Sequence, residues 1–346
     1  VDPSHAPTPF DALEETGLAR AFFVSDAASG LRAIIAIDDL TLGPAAGGIR
    51  TMRYDNAEEA LLDAAGLARA MTLKCALGGV HAGGGKAVVI DHEGLDRQRA
   101  FEVLGARVEE LGGLFRTAGD LGTTAADLEA MAKTTQYVHT EEVDLSAAVA
   151  RGLLRCVEAC CDRKGVDVEN VRVAVQGVGS IGGAVCRALA DAGAELVIAD
   201  IDPEAAAALA ALVNAETISA DEILRADVDV LCPCAVGGVL TEDVVSEMRA
   251  WAVVPGANNA LANEAASLAL HRRGVLLVPD VIASAGAVVD GIGRTVMLLD
   301  DRTLLVDRLG ETAREVLSRS AERDVPATEV ARKLARERIA RGGGLG

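Results

Sequence analysis

Three features of the amino-acid sequence predict an α/β fold in two domains. Half of its 346 residues are hydrophobic while aromatics make up only 2%, a balance that suits helices packed closely on a mostly parallel sheet. The length is that of about two domains, each able to bury a core of its own. The stretch "VRVAVQGVGSIGGAVCRALADAGAELVIADID" joins a β-branched run, a tight glycine turn, a helical segment and a second β-branched run, as a βαβ unit does.

Along the first domain, "VDPSHAPTP" reads as a disordered arm. "LRAIIAI" reads as a strand, and "NAEEALLDAAGLARAMTLKCAL" as a long helix with Asn56 as its N-cap and acidic residues in its first turn. A glycine stretch follows, then a strand "KAVVI" opening at Lys86, a helix over about residues 97–111, a short strand running into the loop "GGLFRTAGDLGTT", and a helix from near Thr124. The segment "GGVHAGGGKAVVI" invites a phosphate-loop reading, because backbone N–H groups and an ammonium together cradle phosphate. It fails that test: Val80 stands where a glycine is required, Ala87 where Ser or Thr is required, and Lys86 leads into a strand instead of a helix. Something other than phosphate is expected to meet this lysine.

The character changes near residue 151. Gly177, Gly179 and Gly182 satisfy G-x-G-x-x-G between a strand and a helix, and Asp200 closes the next strand. In that context the first glycine permits the turn, the second lets backbone approach a pyrophosphate at the helix N-terminus, and the third allows close packing, a Rossmann-type arrangement. Asp200 can accept hydrogen bonds from a ribose 2′-hydroxyl. A second carboxylate at Asp202 and the lack of a nearby arginine disfavour a 2′-phosphate, so the cofactor expected is NAD. The later strands "VDVLCPCA", "WAVVPGANNAL" and "VLLVPDVIASAGAV" each end in small or polar residues, and ligands bind beyond such carboxyl ends. Asn258, Asn259 and Ser284 are expected at the nicotinamide end, although an Asn pair can equally serve a turn, since Asn tolerates left-handed backbone. The last helices, "TLLVDRLGETAREVLSRSAERD" and "ATEVARKLARERIAR", are amphipathic and are expected to pack back across both domains. Residues 1–135 are assigned to a first, substrate-binding and oligomerising α/β domain and 136–324 to the doubly wound dinucleotide domain, with the helix from about 325–346 returning to the first.

A formal charge of -19 argues against nucleic acid or an anionic membrane as partner, because both demand a basic footprint. No apolar run reaches membrane-spanning length. Seven scattered cysteines and an opening stretch without an apolar leader core fit a reducing cytoplasm. Cys232 and Cys234 lack a second cluster, so no metal site is expected and the cysteines read as small buried residues.

The segments "LGPAAGGIR", "MTLKCALGGVHAGGGKAVVI", "TAGDLGTT", "VAVQGVGSIGG", "CPCAVGGVL", "PGANNALA" and "VPDVIASAGAVV" follow the order and spacing of the glutamate/leucine/phenylalanine/valine dehydrogenases, and the chain resembles that family from about residue 20 to 340. The resemblance implies an NAD-dependent amino-acid dehydrogenase and a homo-oligomer assembled through the first domain. It also implies roles: Lys74 grips the substrate carboxylate, Lys86 is the general base and Asp120 the proton-handling carboxylate. Gly47 and Gly48 line the substrate side, Asn259 helps bind the carboxylate, and Asn258 lies nearer the nicotinamide ribose. Ser180, Ile181 and Ala235 join the glycines and Asp200 at the cofactor. Two ammonium groups in one desolvated place are expected to depress each other's pKa. His81 matches no role in the family and reads as structural or superficial.

Two departures stand out. Ser284 replaces the family's usual Asn near the nicotinamide carboxamide, and the loop before the crossing helix is reduced to "VHTEEVDLSAAVARGLL", with Ser146 standing in for a threonine. The wall positions implied by the resemblance are Ala46, Ala118, Val288 and Gly291; leucine- and valine-type members often carry bulkier residues at the first and last. No carboxylate-binding residue for a glutamate side chain is evident. The sequence therefore points to a hydrophobic L-amino acid, phenylalanine or another bulky one, converted reversibly to the 2-oxo acid and ammonia. The alternatives are a branched-chain substrate, a non-catalytic NAD-binding homologue, and imine reduction with another amine.

Overall fold

The computed structural model describes residues 9–140 and 144–342. Nearly all of the expected amino-terminal arm, and residues 141–143 of the loop before Ser146, lie outside the described residues. The chain divides into two compact units. The first runs to Ala76, resumes at Val80–Val143 and takes in the residues from Ile339; the second comprises Leu77–Gly79 and Asp144–Arg338.

The first unit contains α1 (Pro9–Thr16), β1 (Arg20–Asp26), β2 (Leu31–Ile37), β3 (Ala45–Met52), α2 (Ala57–Gly78), β4 (Gly83–Ile90), α3 (Arg97–Glu110), β5 (Phe115–Gly119) and α4 (Ala125–Ala132). Its sheet has the order β1-β2-β4-β3-β5; β1, β2 and β4 are antiparallel neighbours, while β3 runs parallel to both β4 and β5. Side chains alternate across the sheet, which gives two cores. On one face Ile35, Ile37, Ala87 and Val89 meet Phe101, Leu104 and Val108 of α3. On the other, Ile34, Ala36 and Val88 meet the stripe Ala60, Ala64 and Ala68 of α2, spaced one helical turn apart.

Those alanines bring α2 unusually near the sheet, and that explains the glycines before Lys86. A Cβ on Gly84 would stand 2.2 Å from the Ala68 carbonyl oxygen and from Thr72 Oγ1, a separation no side chain tolerates. The expected strand began at Lys86, but β4 begins at Gly83, so the triple glycine belongs to the strand. Helix starts follow the expected chemistry: Asn56 Oδ1 accepts from Glu59 N–H at 2.9 Å, and Thr124 forms a capping box with Asp127.

The second unit contains α5 (Ser146–Lys164), β6 (Arg172–Gln176), α6 (Ser180–Asp191), β7 (Glu195–Ala199), α7 (Pro203–Val213), β8 (Glu216–Thr217), β9 (Val230–Pro233), α8 (Glu242–Glu247), β10 (Ala252–Val253), α9 (Glu264–Arg272), β11 (Leu276–Leu277), α10 (Asp280–Ala283), α11 (Gly286–Thr295), α12 (Thr303–Arg323) and α13 (Ala327–Ala340). Its sheet, β11-β10-β9-β6-β7-β8, is parallel throughout. The order reverses between β6 and β9, as in a doubly wound dinucleotide fold. The expected α/β architecture is thus the one observed. Residues of α13 up to Arg338 group with this second unit, whereas the sequence placed the last helix with the first. The reason is ionic: Arg319 of α12 reaches Glu337 at 2.8 Å, and Arg338 reaches Glu315 of α12 at 3.0 Å. No described helix is long and apolar enough to cross a membrane.

Candidate active site

In the first unit, Ala46, Gly48 and Arg50 alternate onto the face of β3 that carries α2. The register pairs Ala46 with Gly84 and Arg50 with Val88 of β4, which puts Lys86 on the same face, and pairs Gly48 with Ala118 of β5. Asp120 follows directly beyond β5. A Cβ on Gly48 would lie 2.9 Å from Asp120 Cβ, so the bare backbone is what lets this carboxylate fold over β3. A Cβ on Gly47 would press on the Gly85 carbonyl oxygen at 1.8 Å and stand 3.5 Å from Met71 of α2. The result is an ammonium–carboxylate pair in which Lys86 Nζ donates to Asp120 Oδ2.

Lys86 is 5% exposed and Lys74, on α2, 7%, far from the solvated surface where lysines usually lie. Burial pushes the Lys86 ammonium below the ordinary lysine range; Arg50 pushes the same way, and Asp120 opposes both. Asp120 feels burial in the opposite sense, yet the charge and hydrogen bond of Lys86, with the Leu121 N–H and Arg50, hold its carboxyl below the usual carboxylate range. The neighbouring cation that the sequence named was Lys74; Arg50 is a further cation that acts on Lys86 through space. Sequence reading missed Arg50, and behind it Asp63 and Tyr54. Asp63 lies three helical turns before Lys74 on α2, on the same face, and that spacing was the available signal.

In the second unit the glycine turn has the shape its motif implies. Gly177 adopts φ 87°, and a Cβ there would press on Ala235. A Cβ on Gly182 would stand 1.9 Å from the Gly177 carbonyl oxygen. Gly179 faces open space and is the N-cap of α6, so it offers no side chain to the first-turn N–H groups of Ser180 and Ile181. Other helices of this unit are capped by Asp202, Thr241 and Asn263. An uncapped N-terminus beside a bare, open glycine fits a dinucleotide pyrophosphate. Asp200 Oδ2 accepts from Val178 N–H at 2.7 Å and Oδ1 from Asp202 N–H at 3.0 Å, bonds that lower its pKa and brace the turn against the end of β7. Asp202 itself caps α7. Gly182→Ala is expected to raise the dinucleotide Kd about fivefold or more, since a clash of this kind costs about 1–3 kcal/mol; calorimetric titration with NAD checks it.

Beyond β10, Asn259 sits at φ 51°, so its identity answers to backbone geometry as well as to any ligand. Its N–H donates to Asp280 Oδ2 at 2.8 Å. Ser284 is buried, and its hydroxyl lies 3.0 Å from Asn258 Oδ1 and 2.8 Å from the Asp280 carbonyl oxygen. Asp280, which sequence reading passed over, thus ties Asn258, Asn259 and Ser284 into one cluster. Ser146 opens α5, buried, with its N–H on Asp144 Oδ1 at 2.9 Å. Val288 and Gly291 lie on α11, and Gly291 has open space where a Cβ would be. Asp290 is held by Arg302 at 3.0 Å, so its carboxylate is already engaged by a cation. His81 is exposed. The seven cysteines are free and six are buried; burial pushes the Cys75 and Cys234 thiols up to about 12.

Comparison with known proteins agrees with this geometry. The family described as "Glu/Leu/Phe/Val dehydrogenase, dimerisation domain" matches residues 20–137, and "Glutamate/Leucine/Phenylalanine/Valine dehydrogenase" matches residues 197–291. A leucine dehydrogenase of Geobacillus stearothermophilus is 33% identical over 95% of this chain and 93% of its own length. A phenylalanine dehydrogenase of Caldalkalibacillus thermarum is 33% identical over the same shares. The crystal structure of L-tryptophan dehydrogenase from Nostoc punctiforme superposes with a TM-score of 0.88 at 31% identity, covering 96% of this chain and 99% of that one. Fold, site and relatives together define an oxidoreductase, an amino-acid dehydrogenase. The chain belongs to the glutamate/leucine/phenylalanine/valine dehydrogenase family.

Proposed function

We propose that the chain catalyses reversible, NAD-dependent oxidative deamination of a hydrophobic L-amino acid, with a bulky side chain such as that of phenylalanine favoured, to the 2-oxo acid and ammonia. The observation that carries this reading is the pair that buried Lys86 makes with half-buried Asp120, in the unit that also buries Lys74. NAD, when bound, accepts the hydride lost from the substrate Cα. Lys74 holds the substrate carboxylate. Lys86, neutral at a lower pH than an ordinary lysine, takes the proton of the water that adds to the iminium carbon, and Asp120 moves protons to and from the amine so that ammonia can leave. Asn259 is assigned to the substrate carboxylate, Asn258 to the nicotinamide ribose, with Ser284 holding Asn258 in place. The first unit is proposed to assemble copies of the chain into a homo-oligomer, in line with the dimerisation-domain match.

Small residues at Ala46, Ala118 and Gly291 favour a bulky substrate. The test is NADH formation with NAD and a panel of single L-amino acids at alkaline pH, repeated in reverse with 2-oxo acids and either ammonia or methylamine. Turnover with aromatic or long aliphatic amino acids supports the reading. Preference for valine and leucine assigns a branched-chain substrate, turnover with methylamine alone an imine reductase, and NAD binding without turnover a non-catalytic role. Gly291→Leu is expected to lower kcat/KM for phenylalanine relative to valine about tenfold or more; an unchanged ratio removes Gly291 from the substrate wall.

A further inference from the structure

We propose that Arg50, anchored by Asp63, is a positioning residue for this reaction that holds the Asp120 carboxylate in place while Lys86 passes between its charged and neutral forms. This rests on the reading of Lys86 and Asp120 as the catalytic pair. Arg50 Nη1 lies 3.1 Å from both carboxylate oxygens of Asp63, and Tyr54 Oη donates to Asp63 Oδ2 at 2.7 Å. The guanidinium is therefore clamped at its far end by a carboxylate that is itself tied down. Its near end points at the catalytic pair: Nε is 3.6 Å from Asp120 Oδ2, the oxygen that Lys86 also engages.

Arg50 Nε is buried and makes no hydrogen bond. A buried donor left without an acceptor costs free energy, and a movement of Asp120 by a few tenths of an ångström would supply one. Chemistry gives a reason for that movement. To act as a base Lys86 must be neutral, which strips Asp120 of its ammonium partner in a place where an isolated carboxylate is costly. Arg50, a cationic fork of N–H donors, is positioned to take over the same oxygen. The charged groups that act on Lys86 include Asp120 beyond β5, Arg50 on β3 and Asp63 on α2. Arg50 and burial favour the neutral lysine, while Asp120 and Asp63 favour the ammonium. Loss of the Arg50 charge therefore makes Lys86 keep its proton to higher pH.

The chain has five lysines, Lys74, Lys86, Lys133, Lys164 and Lys333, so the Cε signals of lysine-labelled protein can be titrated one by one, with Lys86 assigned by its loss in Lys86→Ala. In Arg50→Gln the Lys86 midpoint is expected to rise by about one pH unit and kcat to fall about ten- to a hundredfold, with the NAD Kd unchanged. Arg50→Lys keeps the charge without the planar fork, so its midpoint stays near that of the wild type while kcat remains depressed. Circular dichroism monitors folding; should Arg50→Gln not fold, a wild-type kcat in Arg50→Lys overturns the proposal. An unmoved or lowered Lys86 midpoint in folded Arg50→Gln also overturns it. Wild-type protein that titrates as described but turns over no amino acid instead overturns the functional reading, because the titration needs no turnover.

Discussion

Lys86→Ala is expected to lower kcat for oxidative deamination by about three orders of magnitude and to leave NAD binding unchanged. The expected loss is large because no neighbouring group can replace the base: the Asp120 carboxyl is held below the usual carboxylate range, and the guanidinium of Arg50 offers donors and no acceptor. Binding is spared because the glycine turn of Gly177, Gly179 and Gly182 belongs to the other unit. The pH dependence follows from the sign of the shift. Burial lowers the Lys86 pKa, so the neutral base accumulates before an ordinary lysine would titrate. In the wild type kcat/KM for deamination should climb with pH through that lowered value and level off below about 10.4. Rates read from NADH absorbance, set beside calorimetric NAD affinities, decide the matter. Equal loss of turnover and of NAD affinity would mean that Lys86 supports the fold and not the chemistry.

Asp120→Asn is the second large effect, and its sign is diagnostic. The substitution removes a proton acceptor, which should cost about a hundredfold or more in the plateau kcat. It also removes the charge and the hydrogen bond that raise the Lys86 pKa. The ascending limb of the profile should therefore move to lower pH even as activity falls, opposite to the shift expected for Arg50→Gln. A single pH–rate series on the three proteins separates the two contributions. A limb that moves upward in Asp120→Asn would show that Asp120 does not pair with Lys86 during turnover.

The legibility of this site in the sequence varies with the physics behind each residue. Gly177, Gly179, Gly182 and Asp200 were readable because a pyrophosphate-binding turn constrains consecutive positions, and local constraints leave local patterns. Helix α2 was readable from its cap and its acidic first turn, whereas β3 was not, because "AAGGIRTM" lacks the alternation of apolar and polar residues by which a strand shows itself. Asp280 was passed over for a related reason. Its carboxylate acts on Asn259, 21 residues away, and nothing in the intervening chain marks the pair.

The sequence by itself determined the α/β class and the doubly wound domain, from composition, periodicity and a motif held together over a short stretch, while Lys74, Lys86 and Asp120 were expected from the family resemblance. Only the tertiary structure decided that Arg50 acts on Lys86, that the glycines before it are strand residues making room for α2, and that Arg302 holds Asp290. Those facts depend on register and on helix-to-sheet distance. Positions such as Arg50 and Asp120 become neighbours only when β3 and β5 lie side by side, and electrostatic coupling falls with separation in space, not along the chain.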